Sequence, residues 1–241
     1  MSAPRVPIAI IGAGRMGKAI ASLAPERGCD VVAMLDVSDT EAGLTPASFN
    51  GAAVAIEFTE PAAAVNNAIA CMKSNVPVVI GTTGWSAQMP VLAQAASEHK
   101  ARVLWSPNFS LGVQLFLSIA EQAARVMKSS GAFDTHVLET HHAAKKDAPS
   151  GTAIAIADAL KTGSGDAEVN TTSIRVGHVP GTHEVIFDAP FEQVRLIHEA
   201  RDRRVFADGA LHAARWLAGV QAPGIYTMRD MIAAQTRAEH T

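Results

Sequence analysis

Two histidines, a lysine pair and a Ser-Gly-Thr triplet occur within fifteen residues of one another, at positions 139–153. His141 and Lys145 are residue types that act as general acids once burial and neighbouring charges shift their pKa values toward neutrality. Ser150 is a suitable N-cap for a helix that the pattern predicts from Thr152, and the first backbone N–H groups of that helix would face a bound anion. The segment, predicted to be a strand-to-helix loop, therefore indicates a site that binds a carboxylate or phosphate and protonates the ligand.

The main alternative is that the histidine pair has no function, since such a pair is often an incidental surface feature. Adjacent residues of an extended segment point to opposite sides, so His141 and His142 are not expected to hold one ion together. No cysteine or further histidine lies close enough in the sequence to complete a zinc site. We therefore predict no metal site here.

A glycine-rich turn lies between an apolar run and a helical pattern near the N-terminus. Gly12, Gly14 and Gly17 form the motif G-x-G-x-x-G, whose glycines let the backbone approach a pyrophosphate at a helix N-terminus. The next apolar run ends at Asp36, nineteen residues after Gly17. A carboxylate there accepts hydrogen bonds from a ribose 2′-hydroxyl and repels a 2′-phosphate. The sequence thus favours NADH over NADPH, while Arg15 leaves the use of both open.

The elements around this turn predict an α/β fold. Three further strand-like runs alternate with helical stretches, the runs at 53–58, 76–80 and 101–105 and the helices at about 61–74 and 86–100. This alternation is typical of a Rossmann-type doubly wound parallel sheet, in which ligands bind at the carboxyl ends of the strands. Loops rich in glycine, hydroxyl and amide residues follow the runs at 58–61, 81–84 and 106–110, although each alone is compatible with a simple turn.

The second half of the chain has a different pattern. Helices are predicted at 111–127 and from Thr152 to about Lys161, a strand at 132–138, and a loop at 162–166. Two-residue alternation then predicts strands at 171–176, 183–187, 193–198 and 204–206. Strands joined without helices favour an antiparallel or mixed sheet, and hence an inserted α+β domain. Helical patterns return at 209–218 and 227–237.

Composition excludes several classes of function. Of 241 residues, 48% are hydrophobic and 18% charged, which suits a packed core rather than a disordered chain. The net charge of -3 makes nucleic acid and anionic membranes poor partners. Cys29 and Cys71 lack metal-type spacing, and no apolar run is long enough for a signal core or a membrane span. We expect a cytoplasmic protein.

The pattern H-H-x-x-K-x-D-x-P-S-G-T-A, from His141 to Ala153, resembles the signature of the dihydrodipicolinate reductases, also called 4-hydroxy-tetrahydrodipicolinate reductases. The segments at 81–83, 107–109 and 224–230 are also similar to this family. By this resemblance the proton-donating pair would be His141 and Lys145. Substrate would be bound by His142, Ser150, Gly151, Thr152 and Arg203. The nicotinamide cofactor would be bound by Gly12, Gly14, Arg15, Met16, Gly17, Asp36, Gly81, Thr82, Thr83, Pro107, Asn108 and Phe109.

The resemblance also implies an architecture and an activity. It implies a discontinuous dinucleotide-binding domain, 1–110 and 205–241, and a substrate-binding and oligomerisation domain, 111–204, in a homotetramer. The implied activity is NAD(P)H-dependent reduction of 4-hydroxy-tetrahydrodipicolinate, a small cyclic dicarboxylate, to tetrahydrodipicolinate in lysine and diaminopimelate biosynthesis. The chain departs from many members by a glycine turn one residue tighter and by a shorter segment between Lys161 and Arg175.

Two other functions fit parts of the sequence. Another Rossmann reductase of an amino-acid-derived imine or aldehyde, such as an aspartate dehydrogenase, would share the features up to Phe109 without requiring the spacing from His141 to Thr152. A non-catalytic NAD-binding sensor would have no use for the proton donors.

Overall fold

The computed structural model describes residues 4–238. They form two compact units, one made of the chain up to Phe109 together with the chain from Arg204 onward, and the other of Ser110–Arg203. The strands are β1 (Val6–Ile11), β2 (Cys29–Leu35), β3 (Val54–Glu57), β4 (Val78–Ile80), β5 (Arg102–Trp105), β6 (Asp134–His141), β7 (Asn170–Arg175), β8 (Thr182–Ala189), β9 (Glu192–Glu199) and β10 (Gly224–Tyr226). The helices are α1 (Arg15–Leu23), α2 (Val37–Ala42), α3 (Pro61–Lys73), α4 (Met89–Glu98), α5 (Leu111–Ser130), α6 (Gly151–Ser164), α7 (Arg204–Gly219) and α8 (Met228–Ala238).

The first unit contains a six-stranded sheet in the order β10-β5-β4-β3-β1-β2, with every adjacent pair parallel. Its central strands are continuous apolar runs because helices cover both faces of a parallel sheet. Ile8, Ile10, Val54 and Ile56 are all fully buried. The predicted Rossmann-type parallel sheet is therefore confirmed, and the loops that follow β1 to β5 share its carboxyl edge.

The second unit contains a mixed four-stranded sheet in the order β7-β6-β8-β9. Strand β6 pairs parallel with β7 and antiparallel with β8, and β8 pairs antiparallel with β9. Helices α5 and α6 pack together and share a core with the sheet, to which Phe116, Val137, Ile156, Leu160 and Phe187 belong. The expected second α+β unit is thus present.

Two predicted boundaries in the second unit were wrong. Strand β6 does not end at Leu138 but continues to His141, so the segment 139–153 begins inside a strand and not in a loop. Residues 162–164 are not a loop, because α6 continues to Ser164 and ends at Gly165, which has φ +76°. The helix tolerates Gly163 since that residue lies against α5, where an added Cβ would be 2.1 Å from the carbonyl oxygen of Glu121.

The C-terminal part of the chain contains the remaining differences. Residues 204–206 are not a strand but the first turn of α7, which packs against α1 and against the sheet of the first unit. Strand β10, which no predicted element included, pairs with β5 through Gly224, Ile225 and Tyr226. Helix α2, also absent from the predictions, is a short helix that Asp36 caps.

Candidate active site

The N-terminus of α6 has the geometry that the sequence predicted. Ser150 adopts an extended N-cap conformation, and its Oγ accepts a hydrogen bond from the backbone N–H of Ala153 at 3.2 Å. Ser150 is buried, Gly151 is exposed and Thr152 is half-buried. An added Cβ on Gly151 would have no atom within 4 Å, so the start of the helix borders open space. A helix N-terminus in this setting suits an anionic ligand.

Glu139 fixes the position of this helix start. Its side chain is fully buried, and Oε1 accepts hydrogen bonds from Ser150 N at 3.0 Å, Ser173 Oγ at 2.6 Å and Arg175 Nη2 at 2.8 Å. Burial alone would raise the pKa of Glu139, but the hydrogen bonds from Ser150, Ser173 and Arg175 outweigh it and lower the pKa to about 2. The residue is therefore a buried carboxylate that joins β6, β7 and the start of α6.

Two histidines face the other oxygen of Glu139. His141 Nδ1 lies 3.1 Å from Oε2, and His183 Nε2 lies 3.9 Å from the same atom. The two rings meet edge to face with centroids 5.1 Å apart, and His183 Nε2 is also 3.3 Å from Ser150 Oγ. Burial lowers the pKa of His141. The charge of Glu139 raises this pKa, whereas the charges of Lys145 and Arg175 lower it further. Burial and the neighbouring His141 lower the pKa of His183 to about 4.

Lys145 and Asp147 form an ion pair in the loop between β6 and α6. The Lys145 ammonium donates to both carboxylate oxygens of Asp147 at 2.8 Å, and this hydrogen bonding lowers the pKa of Asp147. Arg175 also donates to the backbone carbonyl of Asp147 at 2.6 Å, and Lys145 N donates to the carbonyl of His142 at 3.1 Å. The loop is therefore tied to the same arginine that holds Glu139.

The structure brings most of the predicted substrate-site residues into the second unit. His141, Lys145, Ser150 and Gly151 lie along β6, the loop and the start of α6, with His142 half-buried beside them. Arg203 is exposed at the end of this unit, and the hydrogen bonds described for the Glu139 cluster do not include it. Sequence reasoning missed Glu139, Ser173, Arg175 and His183 as parts of the site. The polar residues Ser173, Arg175 and His183 inside segments predicted to be strands were the available signal.

A divalent ion is the alternative ligand for this cluster. Glu139, His141 and His183 offer ligand atoms that all lie within 4.8 Å of one another, which the sequence argument did not foresee. Yet Arg175, 2.8 Å from Glu139, already provides a positive charge at the same carboxylate. Placing a dication beside that guanidinium is unfavourable in a buried site, where water screens the repulsion less. The arrangement therefore suits a proton between the carboxylate and an imidazole better than a metal.

The glycine turn of the first unit has the geometry of a dinucleotide fingerprint. Gly12 has φ +105°, and an added Cβ there would be 2.1 Å from the carbonyl oxygen of Phe58. Gly14 is the N-cap of α1 with no atom within 4 Å of an added Cβ, whereas a Cβ on Gly17 would be 1.9 Å from Gly12 O. Arg15 is exposed and Met16 half-buried at the start of the helix. In such a fingerprint the first glycine allows a tight turn, the second lets the backbone approach the pyrophosphate, and the third allows the helix to pack closely on the strand.

Asp36 lies at the carboxyl end of β2, where the ribose-binding acid was predicted. It is exposed, and its Oδ1 accepts a hydrogen bond from Val37 N at 2.8 Å, while Asp39 Oδ2 accepts one from Asp36 N at 2.7 Å. Asp36 and Asp39 form a capping box for α2, in which the side chain of each accepts from the backbone N–H of the other. Asp36 therefore also has a structural role that the sequence argument did not consider.

The loops after β3, β4 and β5 are packed around Phe58. An added Cβ on Gly81 would be 2.0 Å from its ring, and the ring of Phe109 lies 5.9 Å away from it, centroid to centroid. Phe109 is 2% exposed, so its side chain supports the loop instead of lining open surface. The other predicted cofactor contacts range from buried Thr82 and half-buried Asn108 to exposed Thr83 and Pro107.

Glu57 is a second buried carboxylate that sequence reasoning did not select. Burial raises its pKa, although Thr59 and Thr82 act in the opposite direction. Its Oε1 accepts hydrogen bonds from the hydroxyl of Thr59 and, at 3.1 Å, from the Thr59 backbone N–H. Thr82 Oγ1 accepts from the same N–H at 2.7 Å. Glu57 thus organises the β3 and β4 loops at the edge where Gly12 lies.

Comparison with known proteins covers both units. The family model "Dihydrodipicolinate reductase, N-terminus" matches residues 6–109, and the model for the C-terminus matches residues 112–232. A 4-hydroxy-tetrahydrodipicolinate reductase of Thiobacillus denitrificans is 36% identical, over 94% of this chain and 98% of that protein. One of Methanoregula boonei is 38% identical, over 85% of this chain and 82% of that protein.

A solved structure shares the fold. The dipicolinate-bound dihydrodipicolinate reductase from Paenisporosarcina sp. TG-14 is 23% identical, with a TM-score of 0.75 over 92% of this chain and 97% of that one. Among residues 4–238, no helix combines the length and hydrophobicity that crossing a lipid bilayer demands. With matches that span both units, this chain belongs to the dihydrodipicolinate reductase family.

Proposed function

We propose that this protein catalyses the NAD(P)H-dependent reduction of 4-hydroxy-tetrahydrodipicolinate to tetrahydrodipicolinate in lysine and diaminopimelate biosynthesis. The observation that carries the proposal is the β6–α6 segment. Glu139 accepts hydrogen bonds from the start of α6 and from Arg175, His141 Nδ1 lies 3.1 Å from Glu139 Oε2, and Lys145 pairs with Asp147 in the same loop. A cyclic dicarboxylate needs both an anion-binding turn and a nearby proton donor. The relatives named 4-hydroxy-tetrahydrodipicolinate reductase support the same reaction.

The residues of the second unit would bind and protonate the substrate. Ser150, Gly151 and Thr152, with His142, would bind a substrate carboxylate through the start of α6, and Arg203 would contact it from the end of the unit. His141 or Lys145 would deliver the proton to the atom of the double bond that does not receive hydride. Lys145 enters this role as an ammonium held by Asp147.

A nicotinamide cofactor fits the first unit. The close approach at Gly12 and the open N-cap at Gly14 suit a pyrophosphate. When bound, the cofactor supplies a hydride. Gly81, Thr82, Thr83, Pro107, Asn108 and Phe109 would support its nicotinamide half, Phe109 through its backbone. We further propose NADH as the preferred form, because the exposed carboxylate of Asp36 would repel a 2′-phosphate.

In this proposal the first unit would bind the cofactor and the second unit would bind the substrate. Assembly into a homotetramer and a cytoplasmic location remain predictions from the sequence.

One assay separates this function from its rivals. NADH absorbance at fixed enzyme concentration is followed with the condensation product of pyruvate and aspartate semialdehyde, and in parallel with an imine of oxaloacetate and ammonia. Oxidation with the first mixture alone supports the proposal. Oxidation with the second alone would indicate an aspartate-dehydrogenase-like enzyme, and NADH binding without oxidation of either would indicate a sensor.

A further inference from the structure

The two carboxylate oxygens of Glu139 have different surroundings. Oε1 accepts from three donors, the Ser150 backbone N–H, the Ser173 hydroxyl and the Arg175 guanidinium. Oε2 is buried and, among residues 4–238, has no hydrogen-bond partner, as is also true of His141 Nδ1. These two atoms are 3.1 Å apart, but their alignment falls short of a hydrogen bond. A small rotation of the imidazole would make it, and such catalytic contacts often tighten only when substrate binds.

We propose that Glu139 is a positioning residue that holds His141 with Nδ1–H toward Oε2 and thereby leaves Nε2 to exchange the proton with substrate. This inference rests on the proposed reductase function. Because Oε1 of the same carboxylate fixes Ser150, one side chain links the seat of the substrate carboxylate to the orientation of the proton donor. Glu139 would not contact the reacting atoms itself.

The surroundings of Nε2 support this orientation. An added Cβ on Gly181 would lie 3.0 Å from His141 Nε2 and 3.8 Å from His183 Cε1. Gly181 has φ +155°, a conformation that other residues rarely adopt, so the space beside Nε2 is kept open by a glycine. The imidazole therefore has a buried carboxylate on one nitrogen and a gap beside the other.

The charges around His141 explain why it needs this carboxylate. From its own strand and loop it faces Glu139, Lys145 and Asp147, from β7 it faces Arg175, and from β8 it faces His183. Burial, Lys145 and Arg175 disfavour an imidazolium, whereas Glu139 and Asp147 favour it. Of the two acids, Glu139 is the buried one and lies in contact with the ring. Without it, Lys145 and Arg175 would oppose the imidazolium with no buried acid in contact with the ring to favour it.

The Glu139→Gln variant tests the idea sharply because the donors fix the orientation of the new amide. The Ser150 backbone N–H and the Arg175 guanidinium can only donate, so they require an oxygen and the amide NH2 must occupy the place of Oε2. It would then donate to His141 Nδ1, which must become an acceptor. The neutral ring would carry its proton on Nε2, and the imidazolium would be excluded.

The experiment compares the wild type, Glu139→Gln and a matched control, Glu184→Gln. Glu184 is also buried on this sheet and pairs with Arg195 at 2.9 Å, but it has no place in the proposed site. Nitrogen-15 NMR, with His141 assigned through His141→Asn, reports the tautomer, and steady-state kinetics report kcat, KM and their pH dependence. We expect Glu139→Gln to change the tautomer and lower kcat about 10²-fold or more, with NADH affinity changed less than about twofold.

Each outcome decides between positioning and a structural role. A wild-type His141 that carries its proton on Nε2 alone would overturn the proposal, even if Glu139→Gln failed to fold. An unchanged tautomer, or a loss of kcat shared equally by Glu184→Gln, would also overturn it. If the wild type showed no reductase activity, the proposed function would fail, whereas the tautomer measurement would still test the Glu139–His141 contact.

Discussion

Acid should destabilise the second unit through His183, and the size of the effect follows from its surroundings. His183 is 4% exposed, and burial and the neighbouring His141 lower its pKa from 6.5 to about 4. The unfolded chain therefore binds a proton at a higher pH than the folded one. The stability associated with neutral His183 is complete above pH 6.5 and is lost as the pH falls toward 4. Over that window the loss is about 3 kcal/mol.

Urea unfolding monitored by circular dichroism between pH 7 and pH 4 measures this loss. The His183→Gln variant removes the titrating ring, so its free energy of unfolding should fall by about 3 kcal/mol less than that of the wild type over this range. His136→Gln is the control, because His136 lies half-buried on the same sheet, where its Nε2 meets Thr172 Oγ1 at 2.9 Å. His141 and His198, whose pKa values burial also lowers, add losses that the wild type and both variants share.

Equal acid sensitivity of His183→Gln and the wild type would refute the reasoning. So would proton NMR that showed His183 of the folded wild type titrating near 6.5. The NMR titration needs no variant, so it decides the matter even if His183→Gln does not fold.

Further predictions concern the donor, the cofactor site, the helix pair and metals. Lys145→Ala should lower turnover about 10²–10⁴-fold with little change in cofactor affinity, and a loss confined to cofactor binding in a fluorescence titration would contradict that role. Asp36→Ser should raise kcat/KM with NADPH relative to NADH while keeping the N-cap of α2. Asp36→Ala should have the same effect on the cofactor ratio and should also lower the free energy of unfolding by about 0.5–2 kcal/mol. An unchanged ratio of kcat/KM values would mean that another residue discriminates between the cofactors. Gly163→Ala should lower the free energy of unfolding in urea by about 1–3 kcal/mol or more, since its Cβ would lie 2.1 Å from Glu121 O. The control Gly219→Ala should be nearly neutral, because no atom lies within 4 Å of its added Cβ. Dialysis against a chelator should leave reductase activity unchanged, and activity restored only by Zn²⁺ would assign the Glu139, His141 and His183 cluster to a metal.

Features that depend on neighbours along the chain could be predicted from the sequence. The G-x-G-x-x-G turn needs only β1 before it and α1 after it, and both formed where the apolar run and the helical pattern lay. The Ser150 cap likewise bonds a backbone N–H three residues later. The alternation of strands and helices up to Phe109 was enough to predict the parallel sheet, because crossover helices oblige such strands to run in one direction.

Only the tertiary structure decided which residues surround His141. Arg175 and His183 reach Glu139 and His141 because β7 and β8 flank β6 in registers that pair Glu139 with Ser173 and with His183. A shift of one residue would turn these side chains to the opposite face. The same dependence on distant partners hid β10, which needs β5, and the last turn of α6, where Gly163 fits because α5 lies against it. Local hydrogen bonds are encoded by adjacent residues, whereas strand register and helix contact are settled only when the distant segments meet.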